Sequence, residues 1–269
     1  MVSLILSSGK RDLILSKPML NSAGMLGFSD ELRAFLDLQA LGAFVTNPVS
    51  LHPRTPAHGP RTLRYHDGLL MHTGLPNPGI DRVIETHSSR WRRMQVPVIP
   101  HLLVQDQDEI SALLDRLERL DSIQAVEIGL LGELHEHDCR LIETACTGML
   151  PVIARVPVNS TFEQMMDFER AGAAAITLGP PRGSLPHEKI IVSGRIYSPG
   201  LLPQVLQAGS QLAGRLKTPL IAGCGIFSRP AAVHLLAHGF SALQLDTVLW
   251  TQPDDLLYPP LTFNTEVIT

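Results

Sequence analysis

Eight short apolar runs, each followed by a stretch of helical period, constrain this chain more than any other feature. They are PMLNSAG (18–24), GAFVTN (42–47), VPVIPHLL (96–103), AVEIGL (125–130), LPVIARVP (150–157), AAITLG (174–179), PLIAGCG (219–225) and ALQLDT (242–247). Most are apolar throughout rather than alternating, as strands covered on both faces are. Strands of this kind separated by helices indicate a parallel sheet, and eight strand–helix units predict a closed α/β barrel, the (β/α)8 TIM barrel. An open doubly wound sheet is the alternative, but at 269 residues it rarely needs eight such units. The length suits a single domain spanning residues 1–269.

Local signals place the remaining elements. SLILSS and DLILSKP, joined by Gly9-Lys10, predict an N-terminal β-hairpin. Helices are expected over 29–40 (opened by Ser29-Asp30-Glu31), 79–91, 107–120, 135–147, 161–171 and 200–216, and over SRPAAVHLLAHG at 228–239. Ser160-x-x-Glu163 reads as a capping box. Pro230 suits a first helical turn and Gly239 a helix end. The stretch at 48–60 and the long loop after strand 6, at 180–199, exceed ordinary βα connections. Long connections of this kind shape active sites in barrels.

Composition narrows the function classes. A net charge of −4 with no basic run offers no electrostatic footprint for nucleic acid or an anionic membrane. Three cysteines, Cys139, Cys146 and Cys224, show no Cys-x-x-Cys spacing, so no disulfide framework is expected and the cytoplasm is the default compartment. The apolar run at the start is too short for a signal peptide or a spanning helix.

In a barrel, chemistry sits at the carboxyl ends of the strands. Those ends carry Asn21 to Gly24, Thr46-Asn47, His101, Gly129, Arg155, Thr177 to Gly179, Gly223-Cys224-Gly225 and Asp246-Thr247. Backbone amides of Gly223 to Gly225, just before a helix, could approach a phosphate, or the glycines could serve only a tight βα turn. Arg155 is a lone cation ending an apolar strand, which calls for an anionic or electron-rich partner. His72 and His101 read equally as ligand contacts or structural histidines. Arg54 and Arg61 read as loop anchors, and Cys224 as a small buried residue without a base beside it.

The stretch AVEIGLLGELHEHDC (125–139) crowds Glu133, His135, Glu136, His137, Asp138 and Cys139 together. On a helix His135 and Cys139 share a face, whereas His135 and His137 point about 200° apart. The segment alone supplies no convergent zinc set, and no metal is expected. It reads as the polar first turn of a surface helix, with a relocated acid/base role for Glu133 or His135 as the sharper reading.

Several stretches together resemble the dihydroorotate dehydrogenases. They are PMLNSAGMLGFSDEL (18–32), residues 41–79 with the Gly74-Leu75-Pro76-Asn77-Pro78-Gly79 run, and PLIAGCGIFSRPAAVHLLAHGFSALQLDT (219–247). The order and spacing match from about residue 12 to 250. The resemblance implies a barrel with FMN on the strand ends, oxidation of dihydroorotate to orotate in pyrimidine biosynthesis, and a homodimer. It implies cofactor contacts at Ser22, Ala23, Gly24, Asn47, Arg155, Thr177, Gly223, Cys224, Gly225 and Thr247. Substrate contacts would fall at His72, Thr73, Gly74 and Leu75.

The chain also departs from the family pattern. Thr46-Asn47-Pro48 stands where the family has Thr-Lys-Ser, and Arg155 replaces the lysine beside the flavin. Asp246 replaces a phosphate-binding glycine. Met71, Gly129, Leu134 and Pro180 stand in place of substrate-holding asparagines, and Gly132 in place of the base. A changed substrate, a barrel that has lost catalysis and binds a ligand or partner, and a non-flavin enzyme acting on a phosphorylated metabolite are the competing readings.

Overall fold

The computed structural model describes residues 3–32, 36–130 and 135–263. An N-terminal hairpin of β1 (Leu4–Ser7) and β2 (Asp12–Leu15) precedes β3 (Met19–Asn21) and β4 (Phe44–Val49). A second hairpin, β5 (Thr62–Tyr65) and β6 (Gly68–Met71), leads into helix α1 (Ile80–Trp91). Strand and helix then alternate: β7 (Val98–Leu102), α2 (Gln107–Leu117), β8 (Val126–Gly129), α3 (His135–Cys146), β9 (Val152–Pro157), α4 (Phe162–Arg170) and β10 (Ala175–Gly179). A third hairpin, β11 (Arg182–His187) and β12 (Ile190–Tyr197), comes before α5 (Leu202–Leu212), β13 (Leu220–Ala222), α6 (Arg229–Ala237), β14 (Ala242–Leu245) and α7 (Asp254–Leu257).

The main sheet has eight parallel strands in the order β3-β14-β13-β10-β9-β8-β7-β4. A parallel bridge between Leu20 and Ala43 joins its two ends, so the sheet closes into the expected barrel. Asn21 reinforces that seam: its amide donates to the Val45 carbonyl at 2.6 Å and accepts from the Val45 N–H at 2.9 Å.

The period of two along each strand sorts residues inward and outward. Leu20, Ala43, Val45, Ile99, Ala125, Ile153, Ala175, Ile221 and Ala242 form one buried cluster, joined by Leu6, Leu13 and Leu15 of the N-terminal hairpin. Small alanines alternating with branched residues fill the tapering interior, and the hairpin plugs its lower end. Residues one position away, such as Phe44, Val98, Val126 and Val152, pack outward on helix residues that include Trp91, Leu113, Ile142 and Phe168. None of the described helices is long and apolar enough to cross a membrane.

Several local expectations need correction. The capping box at α4 is built on Thr161 and Gln164, one residue beyond Ser160 and Glu163. Over 29–40 the described residues form only single 3-10 turns, at Asp30–Leu32 and Leu38–Ala40. There the Glu31 carboxylate turns back to accept the Phe28 N–H at 2.8 Å, closing the turn on itself. The largest difference lies at 180–199, which is no loop. β11 and β12 pair with the hairpin of β5 and β6 in a four-stranded antiparallel sheet of order β11-β12-β6-β5.

Candidate functional site at the barrel mouth

The inward-facing positions continue upward in the same register, but their chemistry changes. Two residues beyond Ile99, Ala125, Ile153, Ala175 and Ala242 stand His101, Glu127, Arg155, Thr177 and Gln244. Ser22 follows Leu20 in the same way. All six are buried. A polar layer therefore rests directly on the apolar filling, and burial at this depth requires its groups to satisfy one another.

Glu127 is the hub. Its Oε1 lies 2.7 Å from His101 Nδ1, and its Oε2 accepts from Gln244 Nε2 and, at 3.3 Å, from Thr177 Oγ1. Arg155 donates through Nη1 to Gln244 Oε1 and through Nη2 to Ser22 Oγ at 3.0 Å, with Nη1 at 3.8 Å from Glu127. Burial alone would raise the Glu127 pKa. The Arg155 charge and the hydrogen bonds from His101 and Gln244 outweigh it and hold the carboxyl at about 2. Glu127 is thus an acceptor only, which assigns the proton of His101 to Nδ1. Burial lowers the His101 pKa against the opposing pull of Glu127, so the ring is neutral and its Nε2 is an acceptor. That nitrogen lies under the end of β8, where a Cβ at Gly129 would stand 2.6 Å from it.

Asp246, at the end of β14, is a second buried carboxyl. Burial raises its pKa to about 6, against the Thr247 hydroxyl and the backbone N–H groups of Thr247 and Val248. Thr247 Oγ1 donates to Oδ1 at 3.2 Å, and among the described residues Oδ2 has no partner. The carboxyl therefore lies against the amides that open the turn after the eighth strand. Burial also pushes the Cys224 thiol and the Tyr197 hydroxyl upward.

Above this layer the four-stranded sheet covers the mouth. Between them lies a recess lined by Leu130, Arg155, Val156, Pro157, Pro180, Arg182 and Arg195. Its volume is about 10 Å³, and even counted out to open solvent it reaches about 270 Å³. Small-molecule pockets run to roughly 300–1,000 Å³.

The residues expected to hold FMN do converge, but they do not fit it. Arg155 is turned into the polar layer. Gly223, Cys224 and Gly225 are buried, and a Cβ at Gly225 would meet the Leu202 backbone nitrogen at 2.7 Å, so the start of α5 already covers that turn. Thr247 is engaged by Asp246, and Thr177 by Glu127. Asn47 accepts the Gly27 N–H at 3.2 Å and ties down the loop after β3. Ser22 is held by Arg155, with half-buried Ala23 and Gly24 following it.

The expected substrate residues lie apart from the recess. His72 donates its N–H to the Arg61 carbonyl, and Ala57 donates to the Thr73 carbonyl. Gly74 and Leu75 take φ of 74° and 54°, and a Cβ at Gly74 would stand 2.5 Å from Ala57 N. His72, Thr73, Gly74 and Leu75 thus bind one loop to another, and none lines the recess. Glu133 lies outside the described residues. His135 opens α3, but its side chain is not described. Among the described residues no three His, Cys, Asp or Glu side chains converge as a metal site.

Sequence reasoning missed Glu127, Gln244, Arg182 and Arg195. The first two carried a readable signal, a polar residue within an apolar run, the same signal that marked Arg155. The two arginines carried none, because their meeting depends on the third hairpin.

Residues 7–129 match the family model for dihydroorotate dehydrogenase. The chain is 28% identical to the dihydroorotate dehydrogenase B (NAD(+)) catalytic subunit of Trichlorobacter lovleyi, over 90% of this chain and 86% of that one. The proteins of the same name from Desulforudis audaxviator and Halalkalibacterium halodurans are 27% and 24% identical, over 90% of this chain and 85% and 86% of theirs.

Proposed function

We propose, starting from its similarity to dihydroorotate dehydrogenases over 90% of its length, that the chain is a binding barrel whose flavin seat is filled by its own side chains. The occupied mouth carries this reading. Arg155 is committed to Gln244 and Ser22, and Asp246 lies at the amides after β14. An ionised carboxyl there repels a phosphate, and its buried neighbourhood screens that repulsion little. The neutral imidazole of His101, oriented by Glu127, can accept a proton. It is buried beneath Gly129, however, and does not line the recess.

The second reading is the FMN-dependent oxidation of dihydroorotate or a related substrate. The relatives' printed activity and the small residues Ser22, Ala23 and Gly24 at the first strand end favour it. It requires Arg155 to leave its partners and Asp246 to give up the turn.

Visible spectroscopy separates the two. The purified protein is expected to show no flavin band near 450 nm, and to elute flavin-free after incubation with excess FMN. Stoichiometric FMN that bleaches on addition of dihydroorotate would establish the oxidoreductase instead.

A further inference from the structure

Helix α6 ends on a pair of histidines that the barrel mouth does not use. His234 and His238 stand four residues apart at the helix end, on one face, and both are exposed. Their ring centroids lie 6.2 Å apart, with the ring planes at 55°. With metal–nitrogen bonds of about 2.1 Å and each centroid about 1.1 Å behind its nitrogen, two imidazoles on one ion sit at most about 6.4 Å apart. The pair is within that span. A turn about χ1 of the exposed His234 ring shortens it further, toward the spacing of a tetrahedral or square shell. The Nδ1 of His238 lies 2.7 Å from the His234 carbonyl oxygen. A carbonyl only accepts, so the proton is on Nδ1 and the lone pair on Nε2. A backbone carbonyl holding Nδ1–H is the support that fixes the tautomer and ring plane of metal-binding histidines. The last carbonyls of α6 also set the negative end of the helix dipole beside the rings.

We propose that His234 and His238 chelate one divalent late transition ion at the end of α6, Cu2+ ahead of Ni2+ and Zn2+. Imidazole nitrogen suits these ions, and Cu2+ heads the order of affinity at such ligands. Two histidines four residues apart on a helix are a recurrent zinc-binding pair for the same geometric reason. Two protein ligands, with water completing the shell, make an exchangeable site rather than a structural one closed by four. The pair lies at the opposite end of α6 from the Gly223–Gly225 turn. The proposal is therefore independent of how the barrel mouth is read.

Titration of the untagged full chain with CuCl2, followed by calorimetry and electron paramagnetic resonance, tests it. The first equivalent is expected to show splitting from two nitrogens and to raise Tm. His234→Ala and His238→Ala should each weaken that equivalent about tenfold or more. His66→Ala, at a histidine whose side chain is 95% exposed elsewhere on the surface, should leave it unchanged. His234→Ala keeps the backbone carbonyl to which His238 donates, so it removes a ligand without disturbing the helix end. Far-UV circular dichroism in EDTA is expected to match wild type, which separates lost binding from lost fold. A first equivalent equally tight in wild type and both variants, a signal with fewer than two nitrogens, or Mg2+ displacing Cu2+ would overturn the proposal.

Discussion

At the scale of single residues, two buried carboxyls in one barrel titrate in opposite senses. Glu127 has a folded pKa of about 2 against an ordinary 4.5. Its contribution is complete above the unfolded value and is lost as pH falls from 4.5 toward 2, a span equivalent to about 3 kcal/mol. Glu127→Gln leaves Arg155 buried without its counter-charge. Urea unfolding at pH 7 is expected to show a loss of about 3–5 kcal/mol. The variant's stability should also stay flat through the acid window in which the wild type falls. Asp246 behaves in reverse, with a folded pKa of about 6 against 3.8. Its penalty is absent below 3.8, grows as pH rises to 6 and is complete above. Asp246→Asn is therefore expected to be more stable than wild type at pH 7.5, by up to about 3 kcal/mol. The difference should vanish near pH 4, and an equal difference at both pH values would refute the assignment. The charge of Arg155 was legible as an anomaly in an apolar strand. Its partners were not, because they lie on strands β8 and β14 and on the end of β3, remote in sequence.

Among the elements, those governed by local periodicity were read closely. The expected helices at 79–91, 107–120 and 135–147 match α1, α2 and α3 to within three residues at each end. Pro230 and the Ser228 cap open α6, where Ser228 Oγ accepts the Ala231 N–H at 3.4 Å. The expected helix over 29–40 failed because its opening carboxylate was recruited by the turn itself. The third hairpin was missed for another reason. β12 pairs with β6 through Arg195–Met71, Ile196–Leu70 and Tyr197–Leu69, a contact between segments that no window of sequence holds together. This pairing depends on close backbone approach at Gly194, where a Cβ would stand 2.3 Å from the Met71 carbonyl oxygen. Gly194→Ala is expected to part β12 from β6 while the barrel stays folded. Limited proteolysis should then cut within 182–197 in the variant and not in the wild type, with far-UV circular dichroism nearly unchanged. Resistance equal to wild type would show that this seam does not hold the cover in place.

For the molecule as a whole, eight apolar runs, their spacing and the alternation within each were sufficient to determine a closed parallel barrel. These are local properties: a strand's period of two and a helix's period of 3.6 are written in consecutive residues. Chain order placed His101 and Arg155 at strand ends, whereas the inward register that sets Glu127 and Gln244 beside them came with the closed barrel. Only the tertiary structure decided what those residues do to one another. Ring closure brings the end of β3 beside β14, and that puts Ser22 and Gln244 on the same guanidinium. The pairing of two distant hairpins then lays Arg182 and Arg195 over it. Whether a strand end is an open cofactor seat or a filled one depends on space and on partners from other strands, and both arise only when non-local segments pack.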